Sequence, residues 1–123
     1  MEDLYQEFII ELYKHPLNFR KIPDPDYHAE IQNTTCGDMV ELFIKEKDGI
    51  VAEASFIGKG CAISQASASL FTGFLKGKRM DSVTRDQALA LLKINLEKNP
   101  SRMRCALLPF EAMKKAIRSR SVP

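Results

Sequence analysis

Three cysteines and one aspartate are the residues of this sequence best suited to chemistry: Cys36, Asp38, Cys61 and Cys105. Thiolate is both the nucleophilic and the metal-ligating form of cysteine. Three thiolates and one carboxylate satisfy a four-coordinate metal, so zinc would give a tetrahedral site and iron a sulfide-bridged cluster. The residue types therefore predict a metal or persulfide site. The alternative is that the cysteines are small buried hydrophobic residues.

Local sequence around the first two cysteines favours ligation over inert packing. Gly37 permits a tight backbone turn, which lets Cys36 and Asp38 point toward one spot. Cys61 follows a Gly-Lys-Gly segment and immediately precedes a predicted helix. At a helix N-terminus, unpaired N–H groups and the helix dipole favour the thiolate.

The third cysteine lies between the last two predicted helices and is flanked by cations. Arg102 and Arg104 would favour the thiolate of Cys105, and a loop there could swing outward. We therefore predict Cys105 as the nucleophile that accepts sulfur. A metal bound by three thiolates and a carboxylate would carry net negative charge, so we predict that Lys59 and Arg104 lie just outside the ligand set and offset it.

The ligands are widely separated in the chain, and no C-x-x-C pair is present. A structural zinc knuckle normally uses ligand pairs at short spacing. Wide spacing on loops suits a site that loads and unloads its contents. The spacing thus argues against a small zinc-stabilised interaction domain with no turnover.

Hydrophobic periodicity predicts the elements that must position these residues. A helical period, then three short alternating segments with a Lys47-Asp48-Gly49 turn, then further helical periods indicate an α+β fold. The expected architecture is a small antiparallel sheet with helices packed on one face. Predicted strands are residues 29–34, 40–45 and 50–57, with Val51, Ala54 and Phe56 as core candidates. Predicted helices are residues 3–14, 62–76, 84–96 and 109–118.

Composition limits the remaining function classes. A length of 123 residues fits one domain spanning 1–123, and 45% hydrophobic residues can build its core. Charges nearly balance at net +2, which predicts neither nucleic-acid nor membrane binding. An odd number of cysteines fits a reducing compartment. Together with the acidic start of the sequence, this leads us to expect a cytoplasmic protein.

Three segments surround the candidate ligands: Cys36-Gly37-Asp38, Gly58-Lys59-Gly60-Cys61-Ala62-Ile63-Ser64-Gln65-Ala66-Ser67 and Arg102-Met103-Arg104-Cys105-Ala106-Leu107-Leu108. Taken in order, they resemble the iron–sulfur cluster assembly scaffold family of the IscU, SufU and NifU N-terminal type. The second segment is the most specific of them. The Arg-x-x-Cys-Ala and Ile-Ser-x-Ala-Ser features are similar to the SufU branch.

The resemblance implies a three-stranded antiparallel sheet and a scaffold that receives sulfur from a cysteine desulfurase. It implies a transient [2Fe–2S] cluster or zinc on Cys36, Asp38, Cys61 and Cys105, and delivery to apo iron–sulfur proteins. A zinc-dependent sulfurtransferase that accepts a persulfide from the desulfurase is the alternative function.

Overall fold

The computed structural model describes residues 2–33, 37–93, 96 and 99–121 of the chain. One helix precedes three consecutive strands, and three helices follow them, which confirms the predicted α+β class. None of the described helices combines the length and apolar character that a membrane-spanning segment requires. The elements are α1 (Glu2–Lys14), β1 (Tyr27–Asn33), β2 (Asp38–Lys47), β3 (Ile50–Lys59), α2 (Ala62–Leu75), α3 (Arg85–Ala90) and α4 (Pro100–Ser121).

The three strands form one antiparallel sheet in the order β1-β2-β3. The β2–β3 hairpin closes at Asp48 and Gly49, whose φ angles of 55° and 81° are those of a tight turn with two left-handed residues. Asn33 at the end of β1 pairs with Asp38 at the start of β2. Because Met39 pairs with Lys59, β3 ends at the same end of the sheet at which β2 begins.

One face of the sheet forms the main hydrophobic core. Val40, Leu42 and Ile44 alternate along β2 and are all buried, as their period of two predicts. Val51 and Ala54 are both buried although they are three positions apart, an odd spacing that would normally place them on opposite faces of a strand. The β2–β3 pairing shifts register between Lys45 and Glu46, which leaves one extra residue in β3. This bulge turns Val51 and Ala54 toward the same face of the sheet. Phe56 is also fully buried, so all three β3 core candidates are confirmed.

Helices α2 and α4 cover this face, and α1 packs on α2. Ile9 and Leu12 lie one turn apart on α1 and form a second buried cluster with Ala66 of α2 and Ala106 of α4. The cluster joins α1 to the helix turns beside Cys61 and Cys105.

The boundaries predicted for the last two helices are wrong. The predicted start of α3 is right, because Thr84 forms a capping box with Gln87, but the helix ends at Ala90, well short of residue 96. Helix α4 begins at Pro100 rather than Pro109. Asn99 starts it, because its side-chain oxygen accepts a hydrogen bond from the Arg102 N–H at 3.1 Å.

An Asn-Pro pair is locally ambiguous, since it can end one helix or begin the next. Proline at the first helical position costs no hydrogen bond, because the N–H that it lacks would have no partner within the helix. Pro109, read from the sequence as a helix start, instead lies inside α4. Because α4 begins at Pro100, Cys105 lies in a helix and not in the predicted loop.

Two cations near the end of α4 contact the outer edge of the sheet. Lys115 donates to the carbonyl oxygen of Glu30 at 2.9 Å, and Arg120 donates to that of Asp26. Arg120 also lies over the ring of Tyr27, 5.0 Å from its centroid. These contacts attach the C-terminal half of α4 to β1 and to Asp26, the residue that precedes β1. They also protect the exposed edge of this outer strand from pairing with another chain.

Candidate metal centre

Three of the four predicted ligands converge on one point. The ligand atoms of Asp38, Cys61 and Cys105 all lie within 4.8 Å of one another. The Cys105 thiol donates to Asp38 Oδ2 at 2.9 Å, and the Cys61 thiol donates to the same oxygen at 3.6 Å. Cys36 lies outside the described residues, so its predicted place among the ligands stays a prediction.

Asp38 is the centre of this arrangement and is almost completely buried, with 1% of its surface exposed. Its Oδ1 accepts the backbone N–H of Cys61 at 2.9 Å, and its Oδ2 faces both thiols. A buried carboxylate requires such partners, because leaving one without hydrogen bonds is costly. The carboxylate therefore joins the start of β2, the beginning of α2 and the side of α4.

Gly60 makes the approach of Asp38 to Cys61 sterically feasible. A Cβ atom at position 60 would lie 2.1 Å from Asp38 Oδ1 and 2.7 Å from its Cγ. The φ angle of Gly60 is +141°, in a region that other residues rarely adopt. Sequence reasoning missed this role, and the only available signal was the Gly-Lys-Gly run before Cys61.

Cys61 immediately precedes α2, as predicted, and is exposed; it occupies the N-cap position without a capping hydrogen bond from its side chain. Its sulfur lies 3.9 Å from the Ser64 hydroxyl, which also donates to the Cys61 carbonyl at 3.1 Å. Ser64 is fully buried. The structure thus places the Ser64 hydroxyl beside the predicted ligand sulfur, a role that the sequence analysis did not assign.

Cys105 occupies the second turn of α4 with 4% of its surface exposed. Burial raises the pKa of its thiol well above the usual value, and the hydrogen bonds to Asp38 and Cys61 raise it further. The expected mobile loop and the stabilisation of a thiolate by Arg102 and Arg104 are therefore wrong for the metal-free protein. The role of Cys105 as sulfur acceptor is untested and stays a prediction.

Lys59 and Arg104 flank the centre in sequence and are both exposed. Within the part of the chain that the structure describes, neither forms a hydrogen bond or ion pair with Asp38, Cys61 or Cys105. Their predicted role in offsetting the charge of the ligand set remains a prediction.

The donor set fits zinc or iron. Two sulfur atoms and one carboxylate oxygen already face one another, and soft thiolates with one harder oxygen suit both metals. The mutual hydrogen bonds of the two thiols and Asp38 hold these groups together in the absence of metal. The arrangement can bind a cation and can present one exposed sulfur, that of Cys61, to solvent.

The two described thiols should differ sharply in reactivity. In metal-free protein at pH 7.5, we expect iodoacetamide to label Cys61 at least about 10-fold faster than Cys105, because Cys105 is buried and its pKa is raised. Quenched labelling followed by peptide mass mapping measures both rates, and urea-unfolded protein is the control. Equal rates in the folded protein would contradict the described geometry.

The raised pKa of Cys105 also predicts how stability depends on pH. The folded state holds the Cys105 thiol proton more tightly than the unfolded state does. The contribution of this thiol to the free energy of unfolding is therefore fully present below the unfolded pKa of about 8.5 and is lost as pH rises above it. Urea unfolding of metal-free protein between pH 7.5 and 9.5 should show a decline steeper than that of Cys105→Ala, by at most about 1.4 kcal/mol per pH unit. Parallel curves would refute this.

Comparison with known proteins agrees with the geometry. The family model for the NifU-like N-terminal domain matches residues 4–121. The zinc-dependent sulfurtransferase SufU of Bacillus subtilis is 31% identical, with 95% of this chain and 91% of the relative covered. The iron–sulfur cluster assembly scaffold protein IscU of Escherichia coli is 34% identical, with 92% of this chain and 91% of the relative covered.

Solved structures show the same fold. The N-terminal part of a NifU-like protein from Brucella abortus superposes with a TM-score of 0.81 at 23% identity, covering 97% of this chain and 95% of its own. A SufU from Fervidobacterium islandicum gives a TM-score of 0.76 at 25% identity, covering 90% and 94%. With its sequence match running almost from end to end, this chain belongs to the NifU-like N-terminal domain family.

Proposed function

We propose that this protein is an iron–sulfur cluster assembly scaffold. It receives sulfur from a cysteine desulfurase and holds a nascent [2Fe–2S] cluster, its cargo, or zinc on Cys36, Asp38, Cys61 and Cys105. The observation that carries the proposal is the convergence of Asp38, Cys61 and Cys105 on one point at the end of the sheet where β2 begins. The IscU relatives, which are named as scaffold proteins, support it.

The chain's own residues divide the work of such a scaffold. Cys61 offers an exposed sulfur, while Asp38 and Cys105 supply the buried side of the site. Asp38 contributes an oxygen, a weaker partner than thiolate for these metals, and is thus the position at which an incoming ligand would enter. Zinc, where it is bound, would hold the thiolates in their deprotonated form.

A zinc-dependent sulfurtransferase is the second candidate, and the name of the Bacillus subtilis relative favours it. In that reaction a thiolate of this chain attacks the outer sulfur of the desulfurase persulfide. The S–S bond breaks, the desulfurase thiolate leaves, and a persulfide remains on this chain. We retain Cys105 as the proposed acceptor, on the condition that it first leaves its buried contact with Asp38.

The partners follow from this chemistry. A sulfur donor and iron–sulfur recipients are implied by the scaffold and sulfurtransferase relatives. We propose that the donor is a cysteine desulfurase and that the recipients are apo iron–sulfur proteins. The proposal further places the protein in the cytoplasm and treats residues 1–123 as one scaffold domain.

Reconstitution tests the proposed function. We expect protein incubated with ferrous iron, cysteine, a cysteine desulfurase and an excess of a thiol reductant, which reduces the persulfide sulfur to sulfide, to acquire acid-labile sulfide together with iron, and Cys61→Ala to lose most of both. Asp81→Ala, which removes an exposed carboxylate outside the site, is the matched control and should behave as wild type. Wild-type protein that acquires neither metal nor sulfide would refute the scaffold assignment.

The same samples separate the two candidates. A scaffold yields acid-labile sulfide in proportion to bound iron. A sulfurtransferase yields zinc and a mass increase of one sulfur atom on a cysteine peptide, with no sulfide-bridged iron. Zinc analysis of the protein as purified, combined with peptide mass mapping after exposure to the desulfurase, distinguishes these results.

A further inference from the structure

Pro109 lies four residues after Cys105, in the interior of α4. We infer that Pro109 is a positioning residue that weakens α4 at the turn carrying Cys105, so that this buried thiol can move out of its contact with Asp38. The inference rests on the proposed function in one respect, which is that Cys105 must become accessible in order to accept sulfur.

The first argument is the hydrogen-bonding capacity of the backbone. In an α-helix, the N–H of each residue bonds to the carbonyl oxygen four residues earlier. Proline has no N–H, so the Cys105 carbonyl cannot receive that bond from Pro109, and the proline ring crowds the same carbonyl. Pro109 is fully buried, which restricts replacement of the missing donor by solvent.

The second argument is that side chains hold the turn where the backbone bond is lost. The buried Ser67 hydroxyl of α2 donates to the carbonyl oxygen of Ala106 at 2.5 Å. The Cys105 thiol itself is held by Asp38 at 2.9 Å. Helices bend where a proline interrupts the backbone hydrogen bonds or where a side chain inserts among them, so this turn is a natural point of bending.

The third argument is the difference between the two ends of α4. In the first turn of α4, Ser101, Arg102 and Arg104 are exposed, and burial begins at Cys105. The part after Pro109 contributes buried residues and attaches to β1 through Lys115. The first turn of α4 is therefore less firmly packed than the part after Pro109, which is held to the core and to β1. Bending at Pro109 would move Cys105 with the less attached end.

Pro100 provides a matched control within the same helix. It occupies the first position of α4, where a missing N–H costs no intrahelical bond. Pro100→Ala thus makes the same chemical change without adding a backbone hydrogen bond at Cys105. Pro109→Ala and Pro109→Val both restore the N–H, and their different side-chain volumes separate backbone effects from packing effects.

The test is the labelling rate of Cys105 by iodoacetamide in metal-free protein, measured at pH 8.0 and well below the melting temperature of every variant. Hydrogen exchange of the amides around Cys105 is followed in parallel. We expect both Pro109 variants to slow Cys105 labelling by at least about 5-fold and to slow the local exchange, because the turn regains its bond. The Cys61 rate and all rates in Pro100→Ala should stay at wild-type values.

Neither readout requires sulfur transfer, so failure of the proposed function would leave the result interpretable. Unchanged or faster Cys105 labelling in both Pro109 variants would overturn the inference. A change in only one of them would show that Pro109 acts through packing and would overturn it as well.

Discussion

Gly60→Ala is expected to lower zinc affinity by at least about 10- to 100-fold, although no ligand is altered. The new Cβ would lie 2.1 Å from Asp38 Oδ1, a distance that real Cβ contacts do not reach. The carboxylate must therefore move, and it loses its bond to the Cys61 N–H as well as its place between the two thiols. Competition with a chromogenic zinc chelator measures the affinity.

Gly77→Ala is the matched control for this substitution. Gly77 also has a positive φ, +85°, but a Cβ there would meet no atom within 4 Å. Both variants thus place alanine at a positive φ that favours glycine, at a cost of at least about 1 kcal/mol, and only Gly60→Ala adds the clash with Asp38. Equal zinc affinities for the two variants would contradict the role assigned to Gly60.

Asp38→Ala is expected to make a bound cluster more persistent and its transfer slower, which are changes in rate and are separate from the equilibrium zinc affinity predicted for Gly60→Ala. Removing the oxygen ligand removes the weakest corner of the site, where an incoming ligand could enter, and makes the site less anionic. The structure adds a second effect, because the Cys61 N–H and the Cys105 thiol both lose their acceptor. We therefore also expect the metal-free protein to lose about 2 kcal/mol of stability.

Asp38→Asn separates these two effects. The amide oxygen can still accept the Cys61 N–H, while the anionic ligand is lost. We expect Asp38→Asn to recover part of the stability and still to slow cluster transfer to an apo-ferredoxin. Cluster transfer at the wild-type rate in both variants, with a lowered melting temperature in Asp38→Ala, would show that the carboxylate has only a structural role, which is to connect the start of β2 to the start of α2.

Local signals were sufficient to predict the sheet and the beginnings of α2 and α3. The Asp48-Gly49 pair specifies a two-residue hairpin turn, and alternation along β2 specifies which side faces the core. Thr84 and Gln87 form the capping box that their spacing predicts. These features depend on neighbours in the chain, so the chain alone reveals them.

The environment of Cys105 could not be predicted in the same way. The Asn99-Pro100 pair and Pro109 are each compatible with a helix end or a helix start, and only the packing of α4 on the sheet decides between them. That packing buries Cys105 and sets it against a carboxylate 67 residues earlier in the chain. The consequence is a raised pKa where the neighbouring arginines suggested the opposite.

The sequence by itself determined which residue types could bind metal and sulfur, and in which segments Asp38, Cys61 and Cys105 lie. Only the tertiary structure decided that Asp38 is the shared acceptor of both thiols, that Cys61 is exposed while Cys105 is buried, and that Gly60 leaves room for the carboxylate. The physical reason is that ligand chemistry belongs to each side chain, whereas burial, hydrogen bonding and close approach arise from contacts between residues distant in the chain.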